Sequence, residues 1–271
     1  MTEFFPRHGS GLALFLNAGD PPLPVLDDVV AMLDESGVDC LELAVPFPDS
    51  VTDGPVIRKS ARRALDRGVE LADVLAFVER VRPRLRHLRI ALLADWSYSV
   101  RRTPLRSFVD DVAESGADGL LLHGLPPRLR AEYYAATGEA GLPIVTTCYH
   151  GVSSVDVVAE AAARASAYVY LVAHYGRSGT SAAPDHDALA ATIAGLRART
   201  AAPIAVGFGV RSGADVAALR SRGADAAIVG SAVVARVAEA QATGHDVTGA
   251  LRDFVRSIRR PDTFNRARTG G

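Results

Sequence analysis

Short apolar runs recur along the chain, separated by segments whose apolar residues fall at helical spacing. The runs Leu12–Leu16, Val38–Leu43, Arg89–Leu93, Gly119–Leu122, Pro143–Thr147, Tyr168–Val172, Ile204–Val206 and Ala226–Val229 predict strands. Between them, Val25–Ser36, Pro104–Ser115, Arg128–Ala140, Val155–Arg164, Asp187–Arg197 and Ala214–Arg222 predict helices. Glycine follows several of these helices, as at Gly37, Gly116 and Gly223, where it suits a C-cap. Near-continuous Val/Leu/Ile/Ala strands alternating with helices imply a parallel sheet covered on both faces. Eight such units in 271 residues predict an α/β protein, a single-domain (β/α)8 TIM barrel over residues 1–258. Residues 259–271 are basic, contain Gly and Pro, and are expected to form a flexible tail.

Composition removes several classes of function. The chain is 48% hydrophobic and 23% charged with a formal net charge of −1, so no electrostatic footprint for nucleic acid or an anionic membrane is expected. No apolar stretch approaches the roughly 20 residues of a membrane span, and the N-terminus has no basic-then-apolar leader, so a cytoplasmic protein is expected. Cys40 and Cys148 are the only cysteines, too few for a disulfide framework or a structural zinc site. Lys59 is the one lysine, and it lies in a helical stretch, Arg58 to Arg63, whose basic residues are expected to face solvent. A Schiff-base mechanism needs a desolvated lysine, so it has one poor candidate.

In a barrel the chemistry sits at the C-terminal ends of the strands. The residues expected there are Asn17, Glu42, Asp95, His123, Cys148, His174 and Gly207. Glu42 closes the second apolar run, and Asp53 follows in a Pro/Gly-punctuated loop. A charged side chain at the end of a buried strand is costly unless it is paired or functional. A second carboxylate on a neighbouring loop makes the pair a candidate for proton transfer. Gly207-Phe208-Gly209 and Gly230-Ser231 follow the seventh and eighth strands, where backbone N–H groups and a helix N-terminus suit a phosphate. Gly176-Arg177-Ser178-Gly179 after the sixth strand is a candidate third wall.

Together these residues resemble the tryptophan synthase α subunit, the indole-3-glycerol-phosphate lyase family. The similarity runs from about Leu12 to Phe254. The family's E-L-G-x-P-F-S-D-P-x-A-D-G-P reads ELAVPFPDSVTDGP from Glu42, and its T-A-G-D-P reads NAGDP from Asn17. The resemblance implies a retro-aldol cleavage of indole-3-glycerol phosphate to indole and glyceraldehyde 3-phosphate, without metal or organic cofactor. It makes Glu42 the general acid/base and Asp53 the acceptor of the indole N–H, with Glu42 in apolar surroundings and Asp53 more polar and ionised. Tyr170, Ile57 and Phe208 would line the indole pocket, and Ser178 matches a threonine that hydrogen-bonds the loop aspartate. Gly179, Gly207, Gly209, Gly230 and Ser231 would hold the phosphate.

The departures from the family pattern cluster in loops. Ser50 replaces a proline that helps the loop meet a β subunit, and the family's A-D-x-P becomes His123-Gly124-Leu125-Pro126. Cys148-Tyr149-His150-Gly151 and Ala173-His174-Tyr175-Gly176 also differ, and Asp95 places an unusual acid after strand three. These changes favour a free-standing enzyme over a member of a β-type complex. They also keep open a different glycerol-phosphate substrate in a specialised pathway, and a weakly active subunit that regulates a β-type partner. His123, His150 and His174 fall at or beyond neighbouring strand ends, but their spacing lacks a local ligand motif, so hydrogen bonding is preferred to metal binding. No base can be argued beside Cys148 to make it a nucleophile.

Overall fold

The computed structural model describes residues 3–5, 11–173, 186–207 and 209–259. The first half comprises β1 (Gly11–Asn17), α1 (Leu23–Glu35), β2 (Cys40–Ala44), α2 (Pro55–Asp66), α3 (Leu71–Val81), β3 (Arg89–Asp95), α4 (Leu105–Glu114) and β4 (Gly119–His123). The second comprises α5 (Arg130–Ala140), β5 (Val145–Tyr149), α6 (Val155–Arg164), β6 (Tyr168–Val172), α7 (His186–Arg197), β7 (Ile204–Gly207), α8 (Gly213–Ser221), β8 (Ala226–Val229), α9 (Ser231–Thr243) and α10 (Val247–Arg259). The strands form one parallel sheet in the order β4-β3-β2-β1-β8-β7-β6-β5. Its two edges meet through a parallel bridge between Leu120 and Ile144, with Leu120 N–H donating to the Pro143 carbonyl at 2.9 Å. The eight predicted strands are all present and close into the predicted barrel.

Strand alternation sorts the side chains into two cores. On β1, Leu12, Leu14 and Leu16 are buried against the helices, whereas Ala13 faces the barrel interior with Cys40, Ala91, Leu121, Val145, Tyr168, Ala205 and Ala226. The interior residues are mostly small, and aromatic rings complete the filling. Phe4 and Phe5 pack on Tyr168 with ring centroids 5.4 and 5.2 Å apart, closing the end of the barrel where the strands begin.

At that same end a side chain just before each even strand grips the preceding odd one. Asp39 accepts from Leu12 N–H at 2.8 Å, Asp118 from Ile90 N–H at 2.8 Å, Ser166 from Ile144 N–H at 2.8 Å and Asp225 from Ile204 N–H at 2.7 Å. Three of these acceptors end a Gly-x-Asp triplet, and the glycine reverses the chain out of its helix, with φ +82° at Gly116 and +89° at Gly223. A hydrogen bond to a charged acceptor contributes about 1.5–3 kcal/mol, so the clamps fix one end and leave the other for chemistry.

Candidate active site

The interior row continues toward the open end through Phe15 on β1, Glu42 on β2, Leu93 on β3, Thr147 on β5 and Tyr170 on β6. Glu42 is entirely buried, and β2 continues two residues beyond it to Ala44. The expectation that Glu42 ends its strand is therefore corrected: its carboxylate starts inside the barrel. Tyr168 donates its O–H to Glu42 Oε1 at 2.7 Å, while Glu42 Oε2 has no hydrogen-bond partner. Burial pushes the Glu42 pKa up to about 7, and the Tyr168 hydrogen bond opposes the shift. Near neutral pH such a group can both give and take a proton.

Asp53 lies in the β2–α2 loop, one residue before the α2 N-cap Gly54. The Ser50 hydroxyl accepts from Asp53 N–H at 3.3 Å and bonds the Thr52 hydroxyl at 3.3 Å. The residue that departs from the family proline thus shapes the Asp53 loop. The turn also holds Asp49 at φ +57°, a left-handed conformation that Asp tolerates better than most residues. Burial raises the Asp53 pKa, against opposing effects from Ser50, His123 and Arg58. Both acids of the pair are therefore shifted in the same direction, where sequence reasoning expected Asp53 to sit in a more polar setting.

The helix α2 is placed by buried polar contacts. Asn17 Nδ2 donates to the Ile57 carbonyl at 3.3 Å and to Ser60 Oγ at 3.1 Å. Arg63 donates to both oxygens of Asp20, at 2.9 and 2.6 Å, and Gln241 on α9 donates to Oδ1 at 3.0 Å. Arg58, Lys59 and Arg62 face solvent as expected, but Arg63 turns inward to this pair. The exposure of Lys59 leaves it unsuited to a desolvated Schiff base.

The other predicted residues divide clearly. Tyr170 is half-buried on the inner wall, and its ring lies so close to Gly207 that a Cβ there would meet Tyr170 Oη at 2.8 Å. Gly207 therefore has a packing role beside the phosphate role expected of it. Gly209 adopts φ +61°. At the N-terminus of α8, Ser212 and Asp215 already cap the backbone, and Asp215 Oδ2 accepts from Arg211 and Ser212 N–H. The N-terminus of α9, Gly230-Ser231, has no side-chain cap, which leaves it the better placed to receive an anion. Ile57 is buried in the layer between helix and barrel. Phe208, His174, Ser178 and Gly179 lie outside the described residues.

Two strand-end expectations change. Cys148 faces outward into the helix layer and is fully buried, so it does not line the mouth. Asp95 is buried and accepts from Ser97 and Tyr98 N–H at 2.8 and 3.2 Å, which makes it the cap of the turn after β3. Tyr98 in turn stacks on Phe47 at 5.5 Å, joining that turn to the β2–α2 loop. His150 Nδ1 bonds Thr192 Oγ1 at 2.9 Å, and no three ligand-type side chains gather to hold a metal among the described residues. Sequence reasoning missed Phe15, Leu93 and Thr147. Phe15 is the register partner of Glu42, Leu93 packs on the interior cluster, and Thr147 Oγ1 is buried without a partner. Continuing the two-residue alternation from Ala13, Ala91 and Val145 finds all three.

The fold and this site define a (β/α)8 barrel with an acid inside its open end, a second acid on the adjoining loop and an uncapped helix N-terminus beyond β8. The family model for the tryptophan synthase alpha chain matches residues 5–260. The tryptophan synthase alpha chain of Synechocystis is 36% identical over 256 residues, covering 93% of this chain and 94% of that one. The alpha chain of Geobacter sulfurreducens is 35% identical, covering 84% of this chain and 85% of its own. Among solved structures, tryptophan synthase subunit alpha from Legionella pneumophila aligns with a TM-score of 0.82 at 27% identity, covering 93% of this chain and 92% of that one. A mutant tryptophan synthase alpha-subunit from Pyrococcus furiosus aligns at 0.81 and 28% identity, covering 92% of this chain and 97% of that one. The chain belongs to the tryptophan synthase alpha chain family.

Proposed function

We propose that this protein is a lyase that cleaves indole-3-glycerol phosphate to indole and glyceraldehyde 3-phosphate, with Glu42 as general acid/base and Asp53 facing the indole N–H. The observation that carries this reading is the state of Glu42, buried, shifted to about 7 and holding one oxygen free. Glu42 delivers a proton to indole C3, and positive charge develops on the ring nitrogen, where the Asp53 carboxylate stabilises it. The hydroxyl on the adjoining carbon then loses its proton. The carbon–carbon bond breaks, its electron pair returns to the ring, and the aldehyde leaves. One proton given and one taken leave Glu42 as it began.

Phe15, Leu93 and Tyr170 offer apolar walls for the ring, and Ile57 and Phe208 are retained as candidates. The phosphate falls to Gly230 and Ser231 at α9, with Gly207, Gly209, Gly179 and Ser178 as the remaining candidates. Family membership also proposes a β-type tryptophan synthase subunit as partner. The use of Ser50 to shape the Asp53 loop favours an enzyme that holds this loop without one. Among the described residues no helix is long and apolar enough to cross a membrane.

Purified protein incubated with indole-3-glycerol phosphate is expected to release indole alone. Glu42→Gln should reduce turnover by about 10²–10⁴-fold, and Asp53→Asn should also reduce it strongly. No release by the wild type, with or without a β-type subunit, would overturn the reading in favour of another glycerol-phosphate substrate.

A further inference from the structure

Resting on the reading that Glu42 is the general acid/base, we propose that Phe4 and Phe5 are positioning residues for it, acting through Tyr168 from the closed end of the barrel. Tyr168 donates to Glu42 Oε1 at 2.7 Å and leaves Oε2 unengaged. That choice between two equivalent oxygens holds only while the Tyr168 ring keeps its height in the barrel. The strands alone do little to fix that height. Around the ring the interior is lined by Ala13, Cys40, Ala91, Ala205 and Ala226, side chains too small to stop a tyrosine from settling toward the closed end.

Phe4 and Phe5 supply the missing support. Both are buried, and their ring centroids lie 5.4 and 5.2 Å from that of Tyr168, with the Phe5 ring edge-on at 70°. They lie 6.4 Å from each other, so three aromatic rings form one cluster beneath Glu42. Phe4 is seated at Gly119, the first residue of β4, where an added Cβ would come within 2.9 Å of Phe4 Cζ. Phe5 is seated at Gly11, the first residue of β1, where a Cβ would come within 2.8 Å of Phe5 Cδ1 and also crowd Ala226 and Asp225. Neither glycine has a positive φ, so close approach of the rings, and not backbone conformation, is what glycine serves at Gly119. The other groups whose titration Glu42 influences are Cys40 on its own strand and Tyr170 on β6, and burial holds both neutral.

The test uses Phe4→Leu/Phe5→Leu, which keeps the closed end apolar but removes both rings, and Gly119→Ala, which keeps the rings and displaces Phe4. Each is made in the wild type and in Tyr168→Phe. Steady-state indole release and carboxyl ¹³C NMR titration of Glu42 in the free protein are read on all of them. In the wild-type background the double variant is expected to lower kcat about tenfold while KM for indole-3-glycerol phosphate stays within about twofold, because the substrate enters from the opposite end. The Glu42 midpoint should rise, since a hydrogen bond that favours the ionised form is weakened. Gly119→Ala should move both readouts the same way by less. In the Tyr168→Phe background the same substitutions should leave kcat within about twofold and the midpoint in place, because the hydroxyl that carries their effect is gone. Equal losses in the two backgrounds overturn the proposal, as does a wild-type-like kcat and midpoint in the double variant. Should the double variant fail to fold, Phe4→Leu alone and Gly119→Ala carry the same comparison. A wild type that releases no indole, while the midpoint moves only where Tyr168 is present, sinks the lyase reading and leaves the chain from Phe4 and Phe5 to Glu42 standing.

Discussion

Glu42 and Asp20 are both wholly buried carboxylates, yet burial has opposite outcomes for them. Desolvation acts against the charged form at each site. At Asp20, hydrogen bonds from Arg63, Ser60 and Gln241 and the charge of Arg63 outweigh it, so the pKa is lowered. At Glu42 a single tyrosine hydroxyl opposes it, and the pKa rises to about 7. Asp20 is a fastener between the β1–α1 loop, α2 and α9, joining the helix that follows Asp53 to the helix whose N-terminus has no side-chain cap. Glu42 has no such partners, which keeps its proton available. A buried acid supplied with cations holds the fold together, and one denied them keeps an exchangeable proton near neutral pH.

The comparison predicts opposite signs on stability. The folded pKa of Glu42 lies above its ordinary value of 4.5, so ionisation destabilises the fold as pH rises from 4.5 through about 7. Glu42→Gln removes that penalty and should stabilise the protein at pH 8 by roughly 2–3 kcal/mol, visible as a higher Tm. At pH 4, where both states of the wild type are protonated, the gain should vanish, and an equal gain at both pH values would contradict this account. Asp20→Asn should act the other way, costing about 2 kcal/mol at pH 7 because Arg63 and Arg67, each a third exposed, lose their partner. Its lowered pKa places that contribution above the ordinary 3.8, to be lost as pH falls through the folded value. Denaturant titration at pH 7 and pH 3 reads the gap, which should narrow at the lower pH.

Tyr168→Phe is the smallest and most selective change. It removes the donor to Oε1 and costs about 1 kcal/mol of stability. Because that hydrogen bond lowers the Glu42 pKa, its loss should move the limb of the pH–rate profile assigned to Glu42 to higher pH. An unchanged limb would assign the titration to another group.

Much of this was legible before any coordinates. All eight strands lay where apolar runs placed them, because parallel strands buried on both faces read as continuous apolar sequence. Tyr168–Val172, Ala226–Val229 and Val155–Arg164 match residue for residue. The helices α3 and α10 were not among the predicted segments, though Val74, Phe77, Val78 and Val81 repeat at helical spacing. Glu42 and Asp53 stood out by their setting, but Asp20, seen only within a family motif, gave no sign of its cations. Arg63 and Gln241 are 43 and 221 residues away, beyond any local pattern.

The sequence by itself determined the barrel, the two acids and the glycine turns beyond β7 and β8, since each is written in local periodicity or in a short motif. Tertiary structure alone decided which buried acid is neutralised and which is left free. It also turned Cys148 outward and placed Phe15 beside Glu42. Those outcomes depend on strand register and on partners distant in the chain. The pKa of a buried group is set by what surrounds it in space, and a linear order of residues does not contain that neighbourhood.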